Sequence, residues 1–308
     1  MEETRQREGL LYGNAVQKIT EILGVQPEEI KEIEMLKKGM TNRSVLFSCK
    51  GERYIMRMPG EGTSCLINRK EEFEVYSVIR GKGICDEICY IDPEGGYKLT
   101  KYITNARTCD PGNMMEVLAC IRRLRGVHEQ KLTVGHTFDV FGKILYYESL
   151  RNGGDSCYPD YEETKKKIWE LKDYIEAQPK EWGLAHMDAV SDNFLLYENG
   201  NGQEEICLID WEYAAMQDVH IDIAMFVVYS MYGRDDIDRI IDFYFEGKCD
   251  QKTRRKIYAY IAVCGLLWSN WCEYKRQNGV EFGEYALWQY RYAKEYYQIW
   301  KGTCENEN

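Results

Sequence analysis

The sequence predicts an α+β protein of two lobes: a small, β-rich amino-terminal lobe over residues 1–103 and a larger, mostly helical carboxy-terminal lobe over residues 104–308, with a hinge near 100–106. Three observations predict it. The first hundred residues hold short strand-like runs with one helical segment among them. After Asn105 the apolar spacing becomes helical in one segment after another. Within that helical half sit two apolar runs, 194–197 and 206–209, joined by Glu198-Asn199-Gly200-Asn201-Gly202, which reads as a β-hairpin. A chain of 308 residues can bury a sizeable core in each lobe.

Taken in order, residues 14–24 read as a short amphipathic helix. Residues 33–36, 45–49 and 54–58 read as three strands of a meander, turned at 38–44 and at Lys50-Gly51-Glu52. Residues 65–79 place apolar side chains at helical spacing. Residues 88–91 and 97–102 form two more strands around Asp92-Pro93-Glu94-Gly95-Gly96. In the second half, Met114–His128, Tyr161–Ala177, and residues 221–232, 236–246, 252–274 and 282–300 carry helical patterns. Asn152-Gly153-Gly154-Asp155 is the best candidate for a mobile loop.

Composition narrows the function. Apolar residues make up 44% and charged residues 30% of the chain, as in ordinary globular proteins. A net charge of −11 argues against nucleic acid, whose binding rests on basic patches. The charged start MEETRQREGLLYGN lacks the apolar stretch of a signal peptide, and the run from Ile257 to Cys272 is too short to span a membrane. A cytoplasmic location and reduced thiols for the 12 cysteines are therefore expected. Cys85 and Cys89 have no second pair at zinc-ribbon spacing, so a thiolate metal site is not expected.

The residues carrying chemistry are concentrated in one stretch. His186-Met187-Asp188-Ala189-Val190-Ser191-Asp192-Asn193 reads H-x-D-x-x-x-x-N, and the hairpin then ends in Leu208-Ile209-Asp210. This is the spacing of a kinase catalytic loop followed by a metal-binding Asp. Phosphoryl transfer to a hydroxyl needs a carboxylate to take the proton, which Asp188 supplies. It also needs hard oxygen ligands for Mg²⁺, which Asn193 and Asp210 supply, and the hairpin is expected to return Asp210 beside Asn193. The order β-β-β-α-β-β before the hinge matches a kinase-like nucleotide lobe. There Gly39, Thr41 and Asn42 are expected to meet the ATP phosphates through backbone N–H groups and side chains. Arg57, ending the third strand, is expected to touch phosphate, held by Glu72 on the following helix, with Glu71 the competing choice. Adenine would meet backbone at Thr100, Tyr102 and Ile103. The helices from Trp268 to Trp300 are rich in Tyr and Trp. Trp268 and Trp271, three apart, share a helix face, and converging aromatics can bind a quaternary ammonium by cation–π attraction.

On these residues the chain resembles the choline/ethanolamine kinases, relatives of the aminoglycoside phosphotransferases and of protein kinases. The resemblance spans residues 33–297 and rests on Gly39-Met40-Thr41-Asn42, Tyr54-Ile55-Met56-Arg57, the H-x-D loop, Asp210-Trp211-Glu212-Tyr213, Asp222-Ile223-Ala224, Leu267-Trp268-Ser269-Asn270-Trp271 and Glu281-Phe282-Gly283. It departs in Trp211 for the family's usual Phe, in a single glycine in the nucleotide loop, and in Asp192 where Gly is common. The resemblance implies a two-lobed protein-kinase-like fold with ATP and Mg²⁺ as cofactors. It makes Asp188 the base, Asn193 and Asp210 the metal ligands, and Arg57 with Glu72 the phosphate-positioning pair. It implies a choline pocket lined by Trp268, Trp271 and Phe282, with Tyr285 and Trp288, while Glu212 supports the catalytic centre or the substrate cation. The expected reaction is phosphorylation of choline, with ethanolamine or an aminoglycoside as alternative substrates. The different-class alternative is an inactive kinase-like binding module.

Overall fold

The computed structural model describes the backbone of residues 2–36, 42–60, 66–151 and 154–305, and within these the side chains from 13 to 303. Contacts divide the chain into two units. Unit 1 comprises Met1–Arg107 and Leu196–Tyr213; unit 2 comprises Thr108–Leu195 and Ala214–Asn308.

Unit 1 begins with α1 (Glu2–Leu23), longer than the expected helix by more than two turns at its start. A five-stranded antiparallel sheet follows, built from β1 (Ile30–Leu36), β2 (Asn42–Cys49), β3 (Glu52–Pro59), β4 (Ile88–Ile91) and β5 (Lys98–Lys101) in the order β1-β2-β3-β5-β4. Ala15 and Ile19 of α1 pack on Val45, Phe47, Met56, Met58 and Leu99, so one sheet face is closed by the first helix. The other helix, α2 (Arg69–Ile79), is capped by Asn68, whose Oδ1 accepts from the N–H groups of Lys70 and Glu71. It buries Val75, Tyr76 and Ile79, and also the charged Glu72. The last strand before the helical unit is β6 (Arg107–Thr108).

The expected boundary near 104 differs from the observed division, because the returning arm of the hairpin belongs to unit 1. The hairpin is β8 (Phe194–Glu198) and β9 (Glu204–Leu208); the strand before it, β7 (Trp182–Ala185), lies in unit 2. Leu208 N–H donates to Ile84 O at 3.1 Å. Trp211 is fully buried, its backbone N–H on the Tyr76 hydroxyl and its indole N–H on Leu208 O. A large buried aromatic with both donors satisfied ties the segment where it lies.

Unit 2 is helical: α3 (Met114–His128), α4 (Val140–Ser149), α5 (Tyr161–Ala177), α6 (Ile221–Tyr229), α7 (Arg234–Tyr244), α8 (Gln251–Gln277) and α9 (Glu284–Glu305). Three of its elements, α4, β7 and β10 (Ala215–Asp218), are absent from the sequence reading. α4 is started by Asp139, whose carboxylate accepts from Gly142 N–H. β7 pairs antiparallel with β10. A ten-residue helix offers few periods, and β7 and β10 are not joined by a Pro/Gly turn such as the one that marks the equally short β4 and β5. α8 is buried on every side from Lys256 to Glu273, which explains its long apolar run. Among the described residues no helix is long and apolar enough to cross a membrane.

Gly265 sets the approach of α8 to α9. A Cβ there would lie 2.7 Å from both Ala293 N and Gln289 O, and 2.9 Å from Tyr292 Cβ. Gly→Ala inside an exposed helix gains about 1 kcal/mol. Here the added methyl meets backbone that cannot yield, so Gly265→Ala is expected to lose about 1–3 kcal/mol instead, measured by denaturant unfolding.

Candidate functional site

In unit 1 a charge cluster lies out of water. The Arg57 guanidinium meets Glu72 twice, Nη1 to Oε1 at 2.6 Å and Nη2 to Oε2 at 2.8 Å. Its Nη1 also lies 3.4 Å from Glu212 Oε2 and 3.5 Å from Asp210 Oδ1. Arg69 supplies the second positive charge, with Nη1 2.8 Å from Glu72 Oε2 and 3.3 Å from Glu212 Oε2. Asn42 completes the ring: its Nδ2 donates to Glu212 Oε2 at 2.7 Å, and its Oδ1 accepts from Arg69 Nη2 at 3.0 Å. Gly96, at φ +75°, makes room for this arginine, since a Cβ would fall 2.6 Å from Arg69 Nε. Glu72 and Glu212 side chains are 1% and 2% exposed, against 33% for Asp210. Both buried arginines thus face both buried glutamates, and Asp210 is the most exposed carboxylate of the cluster. Its Oδ1 is buried and receives no hydrogen bond, only the distant Arg57 contact, a geometry suited to a hard cation.

The two glutamates titrate differently. Burial alone would raise the Glu72 carboxyl, but the doubly bonded Arg57 outweighs it and holds Glu72 at about 2. For Glu212, burial and then the Asp210 charge prevail over Arg57 and Asn42, pushing it up to about 7.

Several expected nucleotide-binding residues are placed by this geometry. Gly39 and Thr41 lie outside the described residues. Asn42 bonds Arg69 and Glu212 through its side-chain amide, which fastens the start of β2 to the cluster. Glu212 is likewise enclosed, its Oε2 meeting Asn42, Arg57 and Arg69. Thr100 is a buried residue of the inner strand β5, paired with Ile55 and Ile88. Tyr102 N–H donates to Arg53 O, and Ile103 O accepts from Ala106 N–H.

In unit 2, Asp188 and Asn193 come together. Asn193 Nδ2 donates to Asp188 O at 2.9 Å and to Asp188 Oδ2 at 3.1 Å. The amide thus aims the carboxylate, and its oxygen is turned away as a hard donor. The loop holds Met187 at φ +64°, and in unit 1 Asp210 has the same value. A non-glycine residue there stores about 1–3 kcal/mol and survives only where its surroundings fix it. For Met187 the fixing group is Asp222 at the start of α6, whose two oxygens accept from His186 N–H at 2.7 Å and Met187 N–H at 2.8 Å.

The aromatic residues form a row. Trp268 meets Trp271 at 5.6 Å between ring centroids, Trp271 meets Phe282 at 5.0 Å, Phe282 meets Tyr285 at 6.2 Å, and Tyr285 meets Tyr229 at 5.8 Å. The row ends where Tyr229 donates to Asp192 Oδ2 at 2.7 Å. Burial, then Asp192 and Asp188, push the Tyr229 hydroxyl above its usual range, so this end of the row lies in the field of Asp188. Trp268 and Trp271 are buried, while Phe282 and Tyr285 are half-buried. The Trp288 ring lies against Tyr292 and the Arg291 guanidinium.

The choline/ethanolamine kinase family profile matches residues 33–242. The chain belongs to this family. Protein LicA of Haemophilus influenzae is 27% identical over 272 residues, covering 81% of this chain and 75% of LicA. Among solved structures, choline kinase LicA from Streptococcus pneumoniae superposes with a TM-score of 0.79 at 27% identity, over 94% of this chain and 99% of that one. A LicA complex with AMP gives 0.76, also at 27% identity, over 92% and 96%. The protein is a kinase-type phosphotransferase with an alcohol group as acceptor, and its fold is the two-lobed α+β kinase-like one.

For a choline/ethanolamine kinase, the reading of the sequence missed Arg69 and Tyr229 as parts of the site. Arg69 had one signal: a basic residue in the first turn of a helix opposes the helix dipole, so a tertiary partner must hold it. Tyr229 had none beyond its place among apolar residues.

The Glu72 shift carries a stability consequence. A carboxyl held below its ordinary value of 4.5 contributes stability that is present above that value and lost as pH falls through about 2. Glu72→Gln is expected to cost on the order of 3 kcal/mol near neutral pH, and its gap to wild type should close on acidification from 4.5 toward 2, followed by unfolding at each pH.

Proposed function

We propose that the protein phosphorylates choline on its hydroxyl with ATP, releasing phosphocholine and ADP. The observation that carries choline is the row from Trp268 through Trp271, Phe282 and Tyr285 to Tyr229. A quaternary ammonium has no hydrogen to donate, so π faces recognise it at about 0.5–2 kcal/mol per contact. The half-buried Phe282 and Tyr285 are its accessible members; Trp268, whose indole donates to Met225 Sδ, and Trp271, approached by Lys275, support them. Ethanolamine is the second reading, favoured by the exposed Asp192 carboxylate at the row's end, which could pair with a primary ammonium.

Asp188, aimed by Asn193, takes the proton as the choline oxygen bonds to the γ-phosphorus and the bond to the β-phosphate breaks. Arg57, kept in place by Glu72, neutralises phosphate charge. The Asn193 amide oxygen and the outward Asp210 carboxylate are the residues that would hold Mg²⁺. The metal, when bound, offsets charge on the phosphates. Backbone following β5 receives the adenine. The intact set of Asp188, Asn193, Asp210 and Arg57 speaks against an inactive binding module.

Asp188→Asn is expected to lower kcat by about 10²–10⁴ while leaving ATP affinity unchanged; retention of more than about a tenth of wild-type turnover would remove Asp188 as base. Asp210→Ala is expected to be inactive and poorly rescued by added Mg²⁺, because one of the few anionic oxygens is gone; a wild-type Mg²⁺ titration of rate would contradict this. Because truncating a buried Trp costs about 3–5 kcal/mol of stability, the cage is better tested at Phe282. Phe282→Ala is expected to raise the choline KM by up to about thirtyfold and to leave the ATP KM unchanged. Equal changes in both KM values would contradict a cage.

A further inference from the structure

The strained turn beside Asp188 is held by more than Asp222. Asp222 is wholly buried, and its Oδ2, already accepting from His186 N–H, lies 3.0 Å from Nε2 of His128, the last residue of α3. The other ring nitrogen, Nδ1, lies 2.8 Å from the hydroxyl of Tyr244, the last residue of α7. His128 and Tyr244 are 4% and 5% exposed. One tautomer satisfies the whole chain: Nε2–H donates to Asp222, and Nδ1 accepts from Tyr244. Three helix termini are thereby joined through side chains to the backbone N–H groups of His186 and Met187.

We propose that His128 is a positioning residue of the catalytic loop, acting through Asp222 on the turn that aims Asp188. A carboxylate bonded only to two successive amides can pivot about its own side-chain torsions, and the turn it holds can relax with it. A third donor, from an imidazole fixed at its far side, removes that freedom. Met187 at φ +64° is the part of the loop that needs it, since a left-handed non-glycine residue relaxes when its restraint loosens. A misplacement of about 1 Å in a reacting group can cost roughly a hundredfold in rate. The inference rests on Asp188 being the base, which Asp188→Asn tests separately.

The test compares His128→Leu, which keeps bulk without a donor, with His128→Gln, which restores an N–H toward Asp222. In His128→Leu, kcat is expected to fall about ten- to a hundredfold with KM for ATP and choline unchanged. Amide hydrogen exchange over residues 186–188 should accelerate relative to the rest of unit 2, and His128→Gln should recover most of both. Tyr244→Phe removes only the hydroxyl and should accelerate the same exchange to a smaller degree; it carries the test if His128→Leu does not fold. The proposal is overturned if folded variants keep wild-type kcat and exchange, or if exchange rises uniformly with global destabilisation. Should Asp188→Asn remain active while exchange at 186–188 still responds, the base assignment fails and the loop-holding role stands.

Discussion

Arg57 lies within 3.5 Å of three carboxylates in unit 1, and what that unit can do depends on how their charge is balanced. Burying an unpaired charge costs several kcal/mol, so a group such as Glu72 can be interior only with a close counter-ion. Arg57 alone would be counter-ion to Glu72, Glu212 and Asp210 together, and would be drawn into the cluster. Arg69 changes this balance. With Arg69 sharing Glu72 and Glu212, Arg57 is not their sole partner, and Asp210 is left as the more exposed carboxylate of the cluster. The same cluster reaches the start of β2 through Asn42, so the sheet, α2 and the segment after β9 are cross-linked by one polar network.

Unit 2 follows a different logic, in which strain is localised and then held. The backbone at Met187 is placed where a side-chain-bearing residue is unfavourable, and the turn thereby presents Asp188 to Asn193. Helices supply the restraint, with Asp222 at an N-terminus and His128 and Tyr244 at C-termini. Nearby, the aromatic row gives a surface suited to a cation that cannot donate a hydrogen bond. Its members Trp268 and Trp271 are packed as core, while Phe282 and Tyr285 are half-buried.

The sequence was informative where chemistry is local. The spacing of His186, Asp188 and Asn193 and the hairpin leading to Asp210 needed only loop and turn residues to be read. Arg57 and Glu72 were readable because a strand end followed by a helix leaves few partners. Helices α3 and α5 matched residue for residue, because their apolar spacing runs through several full turns. Tertiary facts were not readable. Nothing local distinguishes Glu212 as enclosed from Glu212 as solvent-facing, and nothing marks Asn42 as bonded to Arg69. No spacing rule tells that the Trp288 ring packs on Tyr292 and the Arg291 guanidinium. The burial of Trp211, one of the ties of segment 196–213 to the rest of unit 1, is foreseen by no spacing rule.

The central claim is that an aromatic row recognises a quaternary ammonium in an enzyme that phosphorylates an alcohol. The most direct measurement is kcat/KM with ATP and Mg²⁺ for choline and ethanolamine under identical conditions. Loss of even one full cation–π contact of about 1–2 kcal/mol corresponds to roughly five- to thirtyfold, so choline should be preferred by about tenfold or more. Equal or better turnover of ethanolamine, or turnover of neither, would contradict the account.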